Sequence, residues 1–331
     1  MNKPKITVFT DPMPWGKEFL NERFRRIARF FRDIIWRKKR TSNHPKYRGH
    51  FAVTRSLIEG LSAINASFNY NPCFPWQLAD TVVVLAGVKT LRQAIRLKQK
   101  GAIKKLIAGP NIVSFSSDFS SIISHSEIDI AIAPSVWVVD LYIKENPKLN
   151  NKIFPWPAGV DTTYWQPNPV SKQDRILILD KRTEKDDPTR VKPYVEYLLS
   201  QGWQVDVLVR CGSEGYTQDQ YRNLLQQSCL MLGFTLGSES QGIAWAESWS
   251  TDVSTLILKN TASTLNGKSF DCSTAPYLCS KNGLFFDNFE DFKIQFNFWK
   301  THSKEFEPRK WCLENMSDEV CASMLYKRIA E

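Results

Sequence analysis

Two glutamates flank a glycine-containing turn within residues 229–250. An apolar run at 229–236 predicts a strand, the residues Gly-Ser-Glu-Ser-Gln-Gly follow it, and a helical run carries the second glutamate. Backbone N–H groups at a helix start have no intrahelical partner and lie at the positive end of the helix dipole, so they can receive a phosphate. The two carboxylates, Glu239 and Glu247, are eight residues apart in the sequence, which is about 12 Å along a continuous helix. The segment therefore predicts an anion site that lies between two carboxylates.

Alternating strands and helices must position this turn. Short apolar, β-rich runs ended by Gly, Pro or Asn predict the strands, and the runs between most of them predict helices. The predicted strands are 5–10, 67–71, 80–87, 103–109, 129–134, 175–180, 203–210, 229–236 and 254–259. The predicted helices are 17–39, 51–65, 89–99, 135–145, 190–201, 217–228 and 241–250. This pattern specifies doubly wound α/β sheets, which bind ligands beyond the carboxyl ends of their strands.

The alternation stops at residues 152–174, which are dense in Pro and short polar residues, and then restarts. A chain of 331 residues is long enough for two domains that each bury a core. We therefore predict an N-terminal acceptor-side domain of residues 1–165 and a C-terminal domain of residues 166–331. The last helix of the chain could pack on the N-terminal domain. A cleft is expected between them.

The segment SESQGIAWAESWSTDV resembles the E-x7-E motif of retaining GT-B glycosyltransferases of the glycogen-synthase-like, family 4 type. FPWPAGVDTTYWQP, at 154–167, resembles the interdomain stretch of these enzymes, with Trp165 in place of the usual Phe. The resemblance covers residues 154 to about 260. It implies the GT-B fold, in which two Rossmann-like domains face a cleft, and transfer of a sugar from a nucleoside-diphosphate sugar.

The resemblance also implies roles for individual residues. Glu239 would be the catalytic residue facing the donor sugar, and Glu247 would hold the ribose hydroxyls. Backbone N–H groups would meet the distal phosphate; these belong to Ser240, Gln241, Gly242 and Ile243. After the strand at 175–180 the family places cations that neutralise the diphosphate, and we predict Lys181 first and Arg182 second. A solvated basic turn is the alternative for these two residues.

This chain departs from the family pattern at several positions. Asp252 and Ser254 stand where the family commonly has Gly and Pro, and the Gly-Arg…Lys spacing after the strand at 175–180 is not reproduced. In the N-terminal half, Gly16 alone replaces a pair of glycines. Two residues are the cleft candidates on that side. Gly16 follows the first predicted strand, and Asn111 lies at the carboxyl end of the strand predicted at 103–109.

The expected reaction retains the configuration of the sugar and uses neither a metal nor a cofactor, because no convincing D-x-D motif occurs and the four histidines are scattered singly. The acceptor, whether glycan, lipid or protein, is not identified by the sequence. A catalytically inactive nucleotide-sugar-binding protein is the alternative.

Positive charge is concentrated near the N-terminus. Residues 17–48 contain 12 Lys and Arg against three acidic residues, which gives +9 of the formal net charge of +10. A helix over 17–40 would carry arginines and Trp36 on one face, and this pattern predicts contact with an anionic membrane surface. A basic amphipathic helix of the core is the alternative. Nucleic-acid binding is not expected, since strand-borne stacking aromatics among the basic residues are missing.

No apolar run reaches the roughly 20 residues of a membrane-spanning helix, and the first residues offer no signal-peptide core. We therefore expect a cytoplasmic protein, with a peripheral position on the inner face of a membrane as a further expectation.

Overall fold

The computed structural model describes residues 5–10, 50–72, 74–168, 174–211, 215–235 and 237–331. The chain divides into two compact units. Unit 1 runs from Met1 to Trp156 and takes in Ala322–Glu331 at the end of the chain, whereas unit 2 is the continuous stretch Pro157–Cys321.

Unit 1 is built on a parallel sheet of six strands in the order β2-β1-β3-β4-β5-β6. The strands are β1 (Ile6–Phe9), β2 (Phe68–Tyr70), β3 (Thr81–Ala86), β4 (Lys105–Asn111), β5 (Ile130–Ala133) and β6 (Ile153–Pro155). The chain moves from β1 to one side for β2 and then to the other side for β3. In open α/β sheets ligands bind at such a reversal, beyond the carboxyl ends of the strands.

Helices cover the sheet of unit 1. They are α1 (His50–Ala63), α2 (Val88–Gln99), the single turn α3 (Asp118–Ser121), α4 (Val136–Glu145) and, at the end of the chain, α10 (Asp318–Ala330). One apolar cluster joins Val82 and Val84 of β3 to Leu91 of α2 and Val138 of α4. These strand positions are two residues apart because alternate side chains of a strand face the same side.

Unit 2 contains a parallel sheet of five strands in the order β13-β10-β9-β7-β8. The strands are β7 (Arg175–Arg182), β8 (Gln204–Cys211), β9 (Leu230–Phe234), β10 (Ser254–Leu258) and β13 (Gly283–Phe286). Here the order reverses between β7 and β9. The residues that follow these two strands therefore lie where this class of sheet binds ligands.

Two apolar clusters lie on opposite faces of this sheet. The helices of unit 2 are α5 (Lys192–Ser200), α6 (Gln218–Gln227), α7 (Ile243–Ser250), α8 (Phe289–His302) and α9 (Pro308–Asn315). Leu177 and Leu179 of β7 pack with α6, α7 and α9, whereas Ile176 and Ile178 pack with α5 and α8. Unit 2 is thus a sheet between two helical layers, as a doubly wound unit requires.

A two-stranded antiparallel hairpin, β11 (Ala262–Leu265) and β12 (Lys268–Asp271), follows β10. Its turn is Asn266-Gly267, with φ angles of 52° and 77°. Both residues have the left-handed backbone conformation that a type I′ turn requires. Asn and Gly adopt this conformation more readily than other residues, which explains why this pair occupies the turn.

The nine predicted strands and six of the seven predicted helices are confirmed, with ends shifted by a few residues. The seventh, at 17–39, lies outside the described residues. The sequence placed the domain division after residue 165, whereas residues 157–165 belong to unit 2. They do so because the Val160 N–H donates to the Met316 carbonyl at 2.8 Å and the Trp165 ring packs on Tyr221. Among the helices that the structure describes, none has the length and hydropathy needed to cross a bilayer.

Candidate functional site at the carboxyl ends of β7 and β9

Helix α7 begins at a residue that must be glycine. Gly242 has a φ of 77°, and a Cβ added there would lie 2.3 Å from Cδ1 of Trp245. The buried Trp245 side chain is itself fixed, because its indole N–H donates to the Thr274 carbonyl at 2.8 Å. A side chain at residue 242 would therefore push this ring out of place or unwind the start of the helix.

Gly242→Ala is expected to lower the free energy of unfolding by about 2–4 kcal/mol, from left-handed strain plus overpacking against Trp245. Gly267→Ala is the matched control, because Gly267 has the same φ of 77° but no atom within 4 Å of an added Cβ. The control should lose only the strain of about 1–2 kcal/mol. Urea denaturation of both variants measures the difference, and equal losses would contradict the steric role of Trp245.

Four successive backbone N–H groups precede and open α7. Within the described part of the chain, the structure shows no acceptor for the N–H groups of Ser240, Gln241, Gly242 or Ile243. The N–H of Glu239, by contrast, donates to the Ser273 carbonyl at 2.8 Å. The four N–H groups predicted to bind a phosphate are therefore available to a ligand, and Ser240 is the first residue of this series.

The side chain of Gln241 anchors this loop. Gln241 is 5% exposed, its Nε2 donates to the Ala158 carbonyl at 2.6 Å, and its Oε1 accepts from the Ala158 N–H at 3.1 Å. Both ends of the amide are used in this reciprocal pair. Gln241 can therefore offer a ligand its backbone N–H group, whereas its side chain holds the loop against the segment after β6.

Glu239, which directly precedes these N–H groups in the chain, forms an ion pair with Lys181. Lys181 is the last but one residue of β7 and lies on the face covered by α7, and its Nζ donates to Oε1 of Glu239 at 2.7 Å. The ammonium also lies 4.5 Å from the centre of the Trp245 ring, a cation–π distance. The Lys181 and Glu239 side chains are 10% and 22% exposed. The pair is thus largely shielded from water, which strengthens its interaction with a charged ligand.

Arg182 is held on the other face of the sheet, because consecutive strand residues point to opposite sides. Its Nη1 donates to the Pro188 carbonyl at 2.8 Å and lies 3.5 Å from the buried carboxylate of Asp180. Asp180 also accepts from Arg190, which donates in turn to the Lys181 carbonyl at 2.6 Å. The role of Arg182 as a second phosphate contact stays a prediction, and the geometry favours Lys181.

Glu247 lies on the open side of α7. Of the eight residues in this helix, only Ile243 and Glu247 are half-buried, and the other six are buried. Residues four apart share a helix face, so this strip runs from the helix N-terminus to the Glu247 carboxylate. The pKa of the Tyr164 hydroxyl is raised to about 12, first by burial, then by its hydrogen bond to Asp219, with the Glu247 charge contributing.

The sequence analysis did not select Arg210. Arg210 lies near the carboxyl end of β8 and pairs in register with Lys181 of β7. The two side chains therefore point to the same face of the sheet. Arg210 is exposed. The signal for it was present, since a cation at the carboxyl end of a predicted strand is the feature that selected Lys181.

The segments around the β11–β12 hairpin hold the loop between β9 and α7 in place. Asn260 donates to the Gly237 carbonyl at 2.6 Å, and Ser273 and Thr274 accept the bonds from Glu239 and Trp245 given above. Gly237 has a φ of 115°, which side-chain-bearing residues rarely adopt. These bonds therefore hold residues 237–242 in position before any ligand arrives.

The two cleft candidates of unit 1 have different outcomes. Gly16 lies outside the described residues. Asn111 is the last residue of β4, and its side-chain Nδ2 is buried with no hydrogen-bond partner in the described part of the chain. It stays a prediction. Among the described residues, no group of His, Cys, Asp and Glu side chains is arranged to hold a metal ion.

Three solved structures are similar to this chain over nearly its whole length. A glycosyltransferase from Rickettsia africae ESF-5 has a TM-score of 0.55 at 12% identity and covers 100% of both chains. The lipopolysaccharide outer core galactosyltransferase WaaB has a TM-score of 0.54 at 12% identity, over 98% of this chain and 99% of its own. The chain has the GT-B fold. HepE from Anabaena, solved in complex with UDP, has a TM-score of 0.53 at 10% identity, over 98% and 99% of the two chains.

The fold predicted from the sequence is confirmed by these similarities. The sequence matches no protein-family model and no curated protein. The assignment to the family 4 type, and with it the E-x7-E motif, stays a prediction.

Proposed function

We propose that this GT-B chain is a glycosyltransferase that moves a sugar from a nucleoside-diphosphate sugar to an acceptor. One observation carries the proposal: the Lys181–Glu239 pair, at 2.7 Å, lies where the strand order of unit 2 reverses, and Glu239 directly precedes four N–H groups that have no acceptor in the described part of the chain. A cation, a row of donors and a carboxylate in one place match a diphosphate joined to a sugar. HepE binds UDP, which makes a UDP-sugar the first donor to test.

In the proposed reaction the bond between the anomeric carbon and the phosphate oxygen breaks, and the acceptor oxygen bonds to that carbon on the same face of the sugar. The acceptor's proton passes to the departing phosphate oxygen. Negative charge grows on the diphosphate, and Lys181 together with the N–H groups of residues 240–243 would stabilise it. These groups supply the positive charge within the chain, so transfer is expected to persist in EDTA.

Glu239 would contact the sugar, and Glu247 would hold the ribose. The strip formed by Ile243 and Glu247 supports this division, because it leads away from the helix N-terminus along the open side of α7. A donor whose distal phosphate lies at the N-terminus would then have its sugar near Glu239 and its ribose near Glu247. Arg210, beside Lys181, would add a second cation to the diphosphate site.

The experiment is a thermal-shift and calorimetry panel with UDP, GDP and ADP and their sugar conjugates, followed by detection of released nucleotide with water as the acceptor. A ligand at 100 times its Kd should stabilise the fold by about 2.7 kcal/mol. Absence of binding by every nucleotide would reject the proposal. Binding without any release of nucleotide would instead indicate a nucleotide-sugar-binding protein without catalysis.

Contact with an anionic membrane through residues 17–40 is part of the proposal. These residues lie outside the described part of the chain, and the support is their composition, with +9 over residues 17–48. Such a contact would bring the transferase to a membrane-bound acceptor.

A further inference from the structure

An exposed pair of aromatic rings lies just beyond β2 in unit 1. Phe74 and Trp76 are 49% and 77% exposed. Their rings are stacked face to face, with centroids 4.4 Å apart and planes 8° apart. Large aromatic side chains are usually buried, so an indole left this open indicates a surface that binds something.

Local bonds hold this aromatic platform, residues 74–77, in one shape. Gln77 accepts from the Phe74 N–H through its side chain at 3.2 Å, and Asn69 of β2 donates to the Gln77 carbonyl at 2.7 Å. Pro75 fixes the first residue of the 3-10 turn that carries Trp76. A surface that is already rigid loses little conformational entropy when a ligand binds.

The position of the platform agrees with ligand binding. It follows the carboxyl end of β2, the edge strand beside β1, and the Tyr70 hydroxyl at the end of β2 is 2.9 Å from the Thr10 hydroxyl at the end of β1. This is the edge at which parallel sheets bind their ligands. The platform lies on the connection that leads from this edge back to the start of β3.

The polar groups around the rings distinguish between possible ligands. Residues 60–79 contain no Lys, Arg, Asp or Glu, so the segment that carries the platform supplies no cation for an anionic lipid or a phosphate. It offers neutral groups instead: within the described part of the chain, the Trp76 indole N–H, Asn69 Oδ1 and Gln77 Nε2 have no recorded partner. Flat aromatic faces with neutral donors and acceptors match a sugar ring, whose C–H groups pack on the negative π face while its hydroxyls form hydrogen bonds.

We propose that the Phe74–Trp76 platform binds a neutral saccharide, and that the acceptor of this transferase is a glycan. A pyranose ring stacks on the outer face of Trp76, and Phe74 supports the indole from behind. The inference rests on the proposed function only in naming the saccharide as the acceptor. Saccharide binding itself is argued from the structure of the platform alone.

The test uses the full chain labelled with 6-fluorotryptophan, titrated with cellotetraose, maltotetraose and chitotetraose and followed by ¹⁹F NMR. The chain has 11 tryptophans, and the Trp76 resonance is the one missing from Trp76→Phe. We expect at least one tetrasaccharide to shift this resonance. Calorimetry with that tetrasaccharide measures the variants, because they lack the Trp76 resonance. Trp76→Ala should weaken binding about tenfold, Trp76→Phe should retain part of it, and Phe298→Ala is the control, since Phe298 is 45% exposed on α8 of unit 2.

Failure of all three saccharides to shift the Trp76 resonance, or unchanged binding by Trp76→Ala, would overturn the proposal. A shift caused only by phosphatidylglycerol vesicles would assign the platform to a membrane and would overturn it as well. UDP calorimetry on the same samples separates the two hypotheses. If the chain binds UDP but no saccharide, only the proposal for the platform is rejected. If it binds a saccharide but no nucleotide, the proposed transferase function is rejected.

Discussion

Glu239→Gln is expected to lower sugar transfer by about 10²- to 10³-fold while UDP affinity is kept or slightly increased. The loss follows because the carboxylate is assigned to the sugar, where a preorganised polar group acts on the transition state. UDP affinity is kept because the amide removes a negative charge beside the phosphates and releases Lys181 from its 2.7 Å ion pair. Release of UDP from a UDP-sugar, with water as the acceptor, measures the first quantity, and calorimetry with UDP measures the second.

Glu247→Gln serves as the comparison, because it is the same substitution on the other side of the helix N-terminus. It should weaken UDP binding and reduce transfer mainly through that loss. If the two variants showed the opposite pattern, the assignment of sugar to Glu239 and ribose to Glu247 would be reversed.

Lys181→Ala is expected to weaken UDP binding by about 10- to 150-fold, which corresponds to the 1.5–3 kcal/mol of a charged hydrogen bond. The affinity for uridine, which carries no phosphate, should change little. The loss should fall toward the upper part of this range, because the negative charge of Glu239 would then face the phosphates without the Lys181 ammonium beside it. Calorimetry with UDP and with uridine gives the two affinities.

Lys310→Ala is the control for Lys181→Ala, because Lys310 also pairs with a glutamate, Glu307 at 3.2 Å, but on the exposed surface of α9. Its removal should leave both affinities unchanged. Equal losses for UDP and uridine in Lys181→Ala would place the lysine away from the diphosphate.

The sequence predicted most strands of both sheets because many of them, such as β3 and β9, are buried apolar runs. The regions it left out have weaker patterns. Strand β13 is only four residues long, and the helices α8 to α10 mix apolar residues among many charged ones. The β11–β12 hairpin is exposed, so it lacks an apolar run, although Asn266-Gly267 is a strong hairpin signal.

Sequence reasoning selected the turn between β9 and α7 but could not supply the contacts that its side chains make. Lys181 and Glu239 are 58 residues apart in the chain, and only the adjacency of β7 and β9 brings them together. The anchoring bonds of Gln241 to Ala158 span 83 residues, so a residue predicted for its N–H group has its side chain used elsewhere. Periodicity reports which face of an element is apolar, and it carries no information on such distant pairs.

The division of the chain has a consequence for the order in which the protein is made. Unit 2 is one uninterrupted stretch, Pro157–Cys321, whereas unit 1 takes in Ala322–Glu331. The second half of α10 belongs to unit 1, and Lys105 at the start of β4 donates to the Ile329 carbonyl at 2.6 Å. Because the ribosome synthesises the chain from its N-terminus, every residue of unit 2 exists before unit 1 receives its last helix. Of the two units, unit 1 therefore begins first and is completed last, and a chain that is cut short after residue 321 contains every residue of unit 2 but lacks Ala322–Glu331 of unit 1.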